Sequence, residues 1–348
     1  MKRVLKYNAA IREAMEQSIK KDKKIILMGL GIDDPSGVFG TTVNLHKQFK
    51  KNVFDLPTAE NAFTGIALGL SISNFKPIIV HHRVEFSLLS IEQIFNQISK
   101  WYFMSAGKVN VPMVIRLIVG KGWGQGPQHA QSLEAIFSHI PGLKVVCPSN
   151  AYDAKGMLIS SILDPNPIIF FEHRWLHDTK EVVPKKYYKV PIGKAKKILT
   201  GKDITIISYS YSTLEVIKSV EILKKYNISA DVIDLRSLRP LDKKVFIDSA
   251  KKTGKVLVVD NGLIKNGISA EICAILSEEI NKKIKIKRIG VTDTPIPSSI
   301  SVAKHCYPDS QIITNCILEI LNKLNLKNKV PKRRAHMDQP DRNFEGPF

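Results

Sequence analysis

The chain has 348 residues, is 44% hydrophobic and carries a formal net charge of +20. That length and apolar content allow a sizeable core split over two domains, and they exclude a disordered or fibrous protein. The basic charge invites a nucleic-acid reading, but lysines outnumber arginines and fall in short pairs such as Lys20-Lys21, Lys50-Lys51 and Lys282-Lys283, which read as solvated helix ends and loops.

The opening segment MKRVLKYNAAIREAMEQSIKKDKK reads as an amphipathic polar helix without an apolar signal core, and no run of 18 or more apolar residues follows. The expectation is a soluble, cytoplasmic protein. Strand-like runs then alternate with helical patterns: 24–28, 77–80, 111–119, 143–147 and 167–171 as strands, with helices over 59–71 and 91–105 between them. Apolar strands of this kind imply a parallel sheet buried on both faces. Prolines, charges and tyrosines replace periodicity at His177–Ile192, which reads as a linker. A second α/β unit follows, with strands at 203–209, 229–234, 255–259 and 284–290 and helices at 213–226, 242–253 and 269–280. The expected fold is therefore α/β, with two doubly wound domains over 1–176 and 193–326, the linker at 177–192 and an extended arm at 327–348. Cys147, Cys273, Cys306 and Cys316 have neither zinc-ligand spacing nor a disulfide framework, and read as buried thiols.

Four segments could carry chemistry. In Leu56-Pro57-Thr58-Ala59-Glu60-Asn61, Glu60 falls in the first turn of a helix, where an acid complements the helix dipole whether or not it has a further role. The run His81-His82-Arg83-Val84-Glu85-Phe86 follows a strand, so His82 and Arg83 can face a substrate and Phe86 can stack on a flat ring; a buried aromatic in a turn explains Phe86 equally. Gly120-Lys121-Gly122-Trp123-Gly124-Gln125-Gly126-Pro127-Gln128-His129 is a glycine-dense loop after a strand. Such a loop lets backbone approach a ligand, yet it lacks the ending of a phosphate loop. His129 there can move a proton or anchor the loop. In Phe171-Glu172-His173-Arg174-Trp175-Leu176-His177, metal ligation and ordinary ion pairing both explain the residues.

Taken in order, PTAENAFTGIALGL, IEQIFNQISKWYFMSAG, GPQHAQS, HIPGLKVVCPSNAYDAKGMLISSILDPNPIIFFE, VPIGKAKK, VIDLRSLRPLD and KNGISAEI resemble the beta subunit of the 2-oxoacid dehydrogenase first component, of pyruvate or branched-chain type. The likeness runs over nearly the whole chain. It implies a transketolase-type pyrimidine-binding domain followed by a transketolase C-terminal domain, with thiamine diphosphate as cofactor. Glu60 matches the family glutamate that hydrogen-bonds the aminopyrimidine and favours its imino tautomer. Phe86 matches the aromatic that packs on that ring, and His129 the histidine that binds substrate or guides acyl transfer to a lipoyl group. A structural potassium ion is implied at Asp164 and Asn166 with carbonyls of Met113, Ser161 and Ile162, although Asp164-Pro165-Asn166 also reads as a turn.

Family partners carry a G-D-G motif that holds Mg2+ and the diphosphate, and this chain has none. The resemblance thus implies an active site shared with an alpha subunit in an α2β2 heterotetramer, with a lipoyl acyltransferase core as a further partner. The chain also departs from the family pattern at Val80, at Trp123, in EHRWLH and in the final Phe-Glu-Gly-Pro-Phe. These departures surround the substrate side and raise a split transketolase-like carboligase, acting on a sugar or aldehyde acceptor, as the alternative.

Overall fold

The structure, a computed structural model, describes residues 3–332 and divides into two compact units. One comprises 3–120 with 136–192; the other comprises 121–135 with 193–332. The loop Lys121–Ala135 thus belongs with the second unit, although it falls inside the first expected domain. No helix among the described residues is long and apolar enough to cross a membrane.

In the first unit, strands β1 (Val4–Lys6), β2 (Ile25–Gly29), β3 (Val53–Asp55), β4 (Lys76–His81), β5 (Val114–Val119), β6 (Lys144–Val146), β7 (Ile168–His173) and β8 (Lys180–Val182) appear in chain order. β6-β7-β5-β4-β2-β3 form a wholly parallel sheet, while β1 and β8 make a separate antiparallel pair. Every residue of β2, β5 and β7 is buried, as a sheet covered on both faces requires. Helix α1 (Tyr7–Lys21) buries Ala10, Ile11, Ala14, Met15, Ser18 and Ile19, one stripe at helical spacing, and ends on Lys20 and Lys21, whose charges complement the dipole. Helices α2 (Glu60–Ile72) and α3 (Ala151–Ile162) follow β3 and β6.

The helix expected over 91–105 is broken into a π-helical stretch, Gln93–Ile98, and a short turn, Trp101–Met104. Ser99 Oγ donates to the Phe95 carbonyl at 2.7 Å, a side-chain bond that competes with the helical ladder. A close backbone approach fixes the same place: a Cβ on Gly142, at φ +96°, would lie 1.8 Å from the Ser99 carbonyl oxygen.

The segment 177–192, expected as a linker, is instead fastened to the first unit. β8 within it pairs with β1, and the Lys155 ammonium donates to the carbonyls of Pro184, Lys185 and Lys186 at 2.8, 3.3 and 3.0 Å. One buried cation satisfies carbonyls that a proline-rich segment cannot place in a sheet. α3 can pass beneath because residue 156 is glycine: a Cβ there would fall 2.4 Å from Val190 Cγ2.

In the second unit, β9 (Lys196–Leu199), β10 (Ile204–Ser208), β11 (Ala230–Asp234), β12 (Ser237–Arg239), β13 (Lys255–Leu263) and β14 (Lys285–Val291) alternate with α4 (Tyr211–Lys224), α5 (Lys243–Thr253) and α6 (Ile268–Glu279). The sheet order is β14-β13-β10-β11-β9, parallel except for the edge strand β9. Helix α7 (Ser310–Ile320), which periodicity reading missed, is capped by Asp309 accepting from the Ile312 N–H at 2.8 Å. Its Ile313 and Ile317 join Ile206, Val220 and Val232 in the core. Of the expected arm, Leu324–Lys329 forms a 3-10 turn, and 333–348, with the Phe-Glu-Gly-Pro-Phe tail, lies outside the described residues.

The centre of the first sheet carries a buried ion pair. Arg116 on β5 meets Glu172 on β7 through two bonds of 2.5 and 2.9 Å, both side chains being 0% exposed, and Arg116 also donates to Thr41 at 2.9 Å. Removing one partner of such a pair strands the other in a medium that cannot solvate it. Arg116→Met is expected to destabilise the protein by about 3–5 kcal/mol in urea unfolding.

Candidate active site

Ligands of parallel α/β sheets collect at the carboxyl ends of the strands. At those ends in the first unit stand β3 leading to Glu60, β4 leading to His81, His82 and Arg83, and β7 leading to Arg174. Glu60 opens α2, is only 7% exposed and has no hydrogen-bond or ion-pair partner among the described residues. The little exposure that remains leaves its carboxyl oxygens open to a ligand that can donate to them.

His82 is half-buried, and its ring meets Phe86 edge-on at 5.7 Å. Its pKa is held below the usual histidine value by burial and then by the Arg83 charge, against the opposing pull of Asp34 and Glu60. Glu60, Phe86, His82 and Arg83 are thus brought together. His81 beside them is 2% exposed, lies 5.1 Å from the Phe63 ring of α2, and is pushed down to about 3 by burial and by His82. Neither of its ring nitrogens has a hydrogen-bond partner among the described residues.

His129, half-buried, belongs to the second unit, where its loop is fastened at both ends to one residue. Lys121 Nζ donates to the Asn261 carbonyl and side-chain oxygens at 2.8 and 3.4 Å, and Asn261 Nδ2 donates to Glu134 Oε1 at 2.8 Å. Between these anchors Gly122, Trp123, Gly124 and Gly126 all have left-handed φ, between 51° and 73°, so the glycines serve the turn itself. Burial pushes Glu134 up to about 7 and Lys121 down to about 8. Beside the loop, Pro127, Ala130, Leu133, Gly262, Val291 and Ile296 help to line a cavity of about 460 Å³. Sequence reading missed this clasp, because Lys121 and Asn261 are 140 positions apart.

The residues matched to a potassium site fit it poorly. Asp164 Oδ2 receives the Lys144 ammonium at 2.6 Å, and Oδ1 accepts from the Asn166 backbone and side-chain nitrogens at 2.9 and 3.1 Å. Met113 O accepts from the Ile168 N–H at 3.0 Å, and Ser161 O from the Asp164 N–H at 3.3 Å. Lys144 already supplies the positive charge, and neither carboxylate oxygen is left unshared. Ile162 is buried in α3. In the segment Phe171–His177, ion pairing is the reading that holds: Glu172 is taken by Arg116 and lies 3.6 Å from His177 Nε2. Among the described residues no group of three or more His, Cys, Asp or Glu could hold a metal ion.

Comparison with known proteins fits this geometry. Residues 3–178 match the transketolase pyrimidine-binding domain, and residues 193–313 match the transketolase C-terminal domain. The acetoin:2,6-dichlorophenolindophenol oxidoreductase subunit beta of Cupriavidus necator is 36% identical over 311 residues, covering 86% of this chain and 92% of the relative. The pyruvate dehydrogenase E1 component subunit beta of Rickettsia bellii is 33% identical over 314 residues, covering 89% and 97%. The 2-oxoisovalerate dehydrogenase subunit beta of Bacillus subtilis is 37% identical over 296 residues, covering 84% and 90%. Among solved structures, a split-gene transketolase described as an inactive beta4 tetramer superposes with a TM-score of 0.77 at 20% identity, over 91% of this chain and 98% of that one, a likeness of fold.

Two outcomes follow from these side chains. A carboxyl raised by burial destabilises the fold as pH climbs from the ordinary carboxylate range to about 7, because the folded state holds a proton that the unfolded state has released. Glu134→Gln should remove that loss, making the variant about 1–2 kcal/mol more stable relative to wild type at pH 8 than at pH 5 in urea titrations. Replacing K+ by Na+ at constant ionic strength should move the thermal midpoint by less than about 1 °C, since an ion that does not bind the folded state adds nothing to its stability.

Proposed function

Since the chain belongs to the transketolase-like family of thiamine-diphosphate enzymes that includes the beta subunits of 2-oxoacid dehydrogenases, we infer that it is the beta-type half of such an enzyme, oxidatively decarboxylating a 2-oxoacid and passing the acyl group to a lipoyl carrier. The observation that carries this reading is Glu60: a largely buried residue whose carboxyl has no hydrogen-bond partner among the described residues, at the first turn of α2 and within electrostatic reach of a histidine that edges onto Phe86. That set fits an aminopyrimidine. The carboxyl holds a proton against a ring nitrogen, and Phe86 supplies an apolar face for the ring. When bound, thiamine diphosphate supplies the electron sink for decarboxylation.

The remaining roles are assigned to other residues. His129, on a loop clasped at both ends, is assigned to hold or move a proton at the substrate or at the acyl group. His82 and Arg83 face the substrate side. With no G-D-G segment in the chain, Mg2+ and the diphosphate are assigned to an alpha-type subunit, so that two halves of each kind complete the enzyme. No role is given to a potassium ion in this assignment, since the Asp164 carboxylate is already bonded to Lys144. The two histidines and the arginine at the end of β4 favour one second reading, a carboligase in which a polar acceptor replaces the lipoyl group.

The test is calorimetric titration of thiamine diphosphate with Mg2+ into this chain alone and into the chain co-expressed with its alpha-type partner. Binding is expected only in the pair, and Glu60→Gln should lower decarboxylation of a 2-oxoacid by a factor on the order of 10²–10⁴. A fully active Glu60→Gln variant, or a pair that ignores the cofactor, would reject the assignment.

A further inference from the structure

The segment Gly37–Gly40 is strained in a way the assigned chemistry does not use. Gly37, Val38, Phe39 and Gly40 all have positive φ, of 50°, 36°, 56° and 84°, a conformation that costs a β-branched or aromatic residue of order 1–3 kcal/mol. It persists because neighbours over-determine it. Asn8 Nδ2 donates to the Phe39 carbonyl at 3.2 Å, Arg12 Nε to the Val43 carbonyl at 2.6 Å, and Arg116 Nη2 to Thr41 Oγ1 at 2.9 Å. What this backbone delivers is the ring of Phe39.

Around that ring the structure gathers cations. The Arg174 guanidinium carbon lies 4.1 Å from the ring centroid and that of Arg83 5.6 Å, while the rings of His82 and His177 each lie 6.3 Å away. Aromatic faces attract guanidinium groups, but two on one ring repel each other. Burial, at only 1% exposure, and then the Arg83 charge push Arg174 down to about 9, although Asp178 pulls the other way. Burial also lowers Arg83, against Glu85. Among the described residues, no carboxylate forms an ion pair with Arg83, and its buried Nη1 has no hydrogen-bond partner. Asp178 is bound by Lys6 at 2.5 Å. Arg116, in the same unit, contrasts with Arg83: its charge is matched by Glu172 through two bonds.

We propose that Arg83 and Arg174, seated on the ring of Phe39, form a binding site for an anionic group, carboxylate or phosphate, of the substrate. Guanidinium forks match both anions through paired N–H donors, and an arriving anion relieves the repulsion between the two arginines. The site adjoins the cofactor residues through His82, whose ring contacts both Phe39 and Phe86. Its assignment to the substrate therefore rests on the reading of Glu60 and Phe86 as cofactor residues, whereas anion binding itself does not. A carboxylate anchored here belongs to the oxoacid; a phosphate anchored here belongs to a phosphorylated acceptor and would mark the carboligase.

Calorimetric titration of pyruvate and of inorganic phosphate into the full chain, against chloride at equal ionic strength, tests this directly. Wild type should bind at least one of the two anions specifically, and Arg83→Gln and Arg174→Met should each weaken that binding by about tenfold or more. Phe39→Leu, which keeps both charges and loses the ring, should weaken it less, and circular dichroism checks that each variant is folded. Binding of pyruvate alone supports the carboxylate form, and binding of phosphate alone the phosphate form. Wild type that binds neither anion beyond chloride, or a folded arginine variant that binds like wild type, overturns the site. Thiamine diphosphate titrated into the co-expressed wild-type pair separates the two readings. If that pair fails to bind the cofactor while both arginines still govern anion binding, the link to the substrate falls and the cofactor assignment falls with it.

Discussion

The pairing of Arg116 with Glu172 at the centre of the first sheet is the constraint on which the strand ends depend. It fastens three segments that the chain brings from far apart: β5, β7 and, through Thr41, the strained turn that presents Phe39. Because Glu172 also faces His177, the carboxylate is committed beneath the strand ends and cannot serve the arginines above. Burial alone would raise the Glu172 pKa, but the Arg116 charge and the bonds from His177 and Arg116 outweigh it and hold the carboxyl below its usual value. One arginine is thus neutralised for architecture, whereas Arg83 has no carboxylate ion pair among the described residues.

The second unit handles buried charge in another way. Lys121 and Glu134 do not touch through a direct ion pair of the bidentate kind but share Asn261, which accepts from one and donates to the other. An amide between two ionisable groups fixes geometry without requiring both to be charged, and the opposed shifts of Glu134 and Lys121 toward neutrality are what burial does to such a pair. The glycine-rich loop between them can then adopt its left-handed turns while its ends stay put.

Much of this was legible in the sequence, for physical reasons. Strands β4, β5 and β7 announce themselves because a sheet covered on both faces needs mostly apolar runs, and 77–80, 111–119 (but for Arg116) and 167–171 are such runs. The place of Glu60 at the start of a helix followed from Pro57 and the small residues beyond it. What escaped was decided by contacts distant in sequence. Nothing local in 91–105 foretells that Gly142 will press against Ser99, and nothing in the prolines of 177–192 foretells that Lys155 will gather their carbonyls. The ion pairing expected in Phe171–His177 is made by Glu172, but with Arg116 on the neighbouring strand, 56 positions away, which local spacing could not show. The capped helix α7 was readable from Asp309 and the spacing of Ile313 and Ile317, and was passed over.

The solitary carboxyl of Glu60 bears on the life of the polypeptide in a cell. Whatever donates to that carboxyl in the folded state, and not in the unfolded one, tightens the fold by mass action. Such a chain is most exposed to chaperones and proteases while it waits, and is protected once complete.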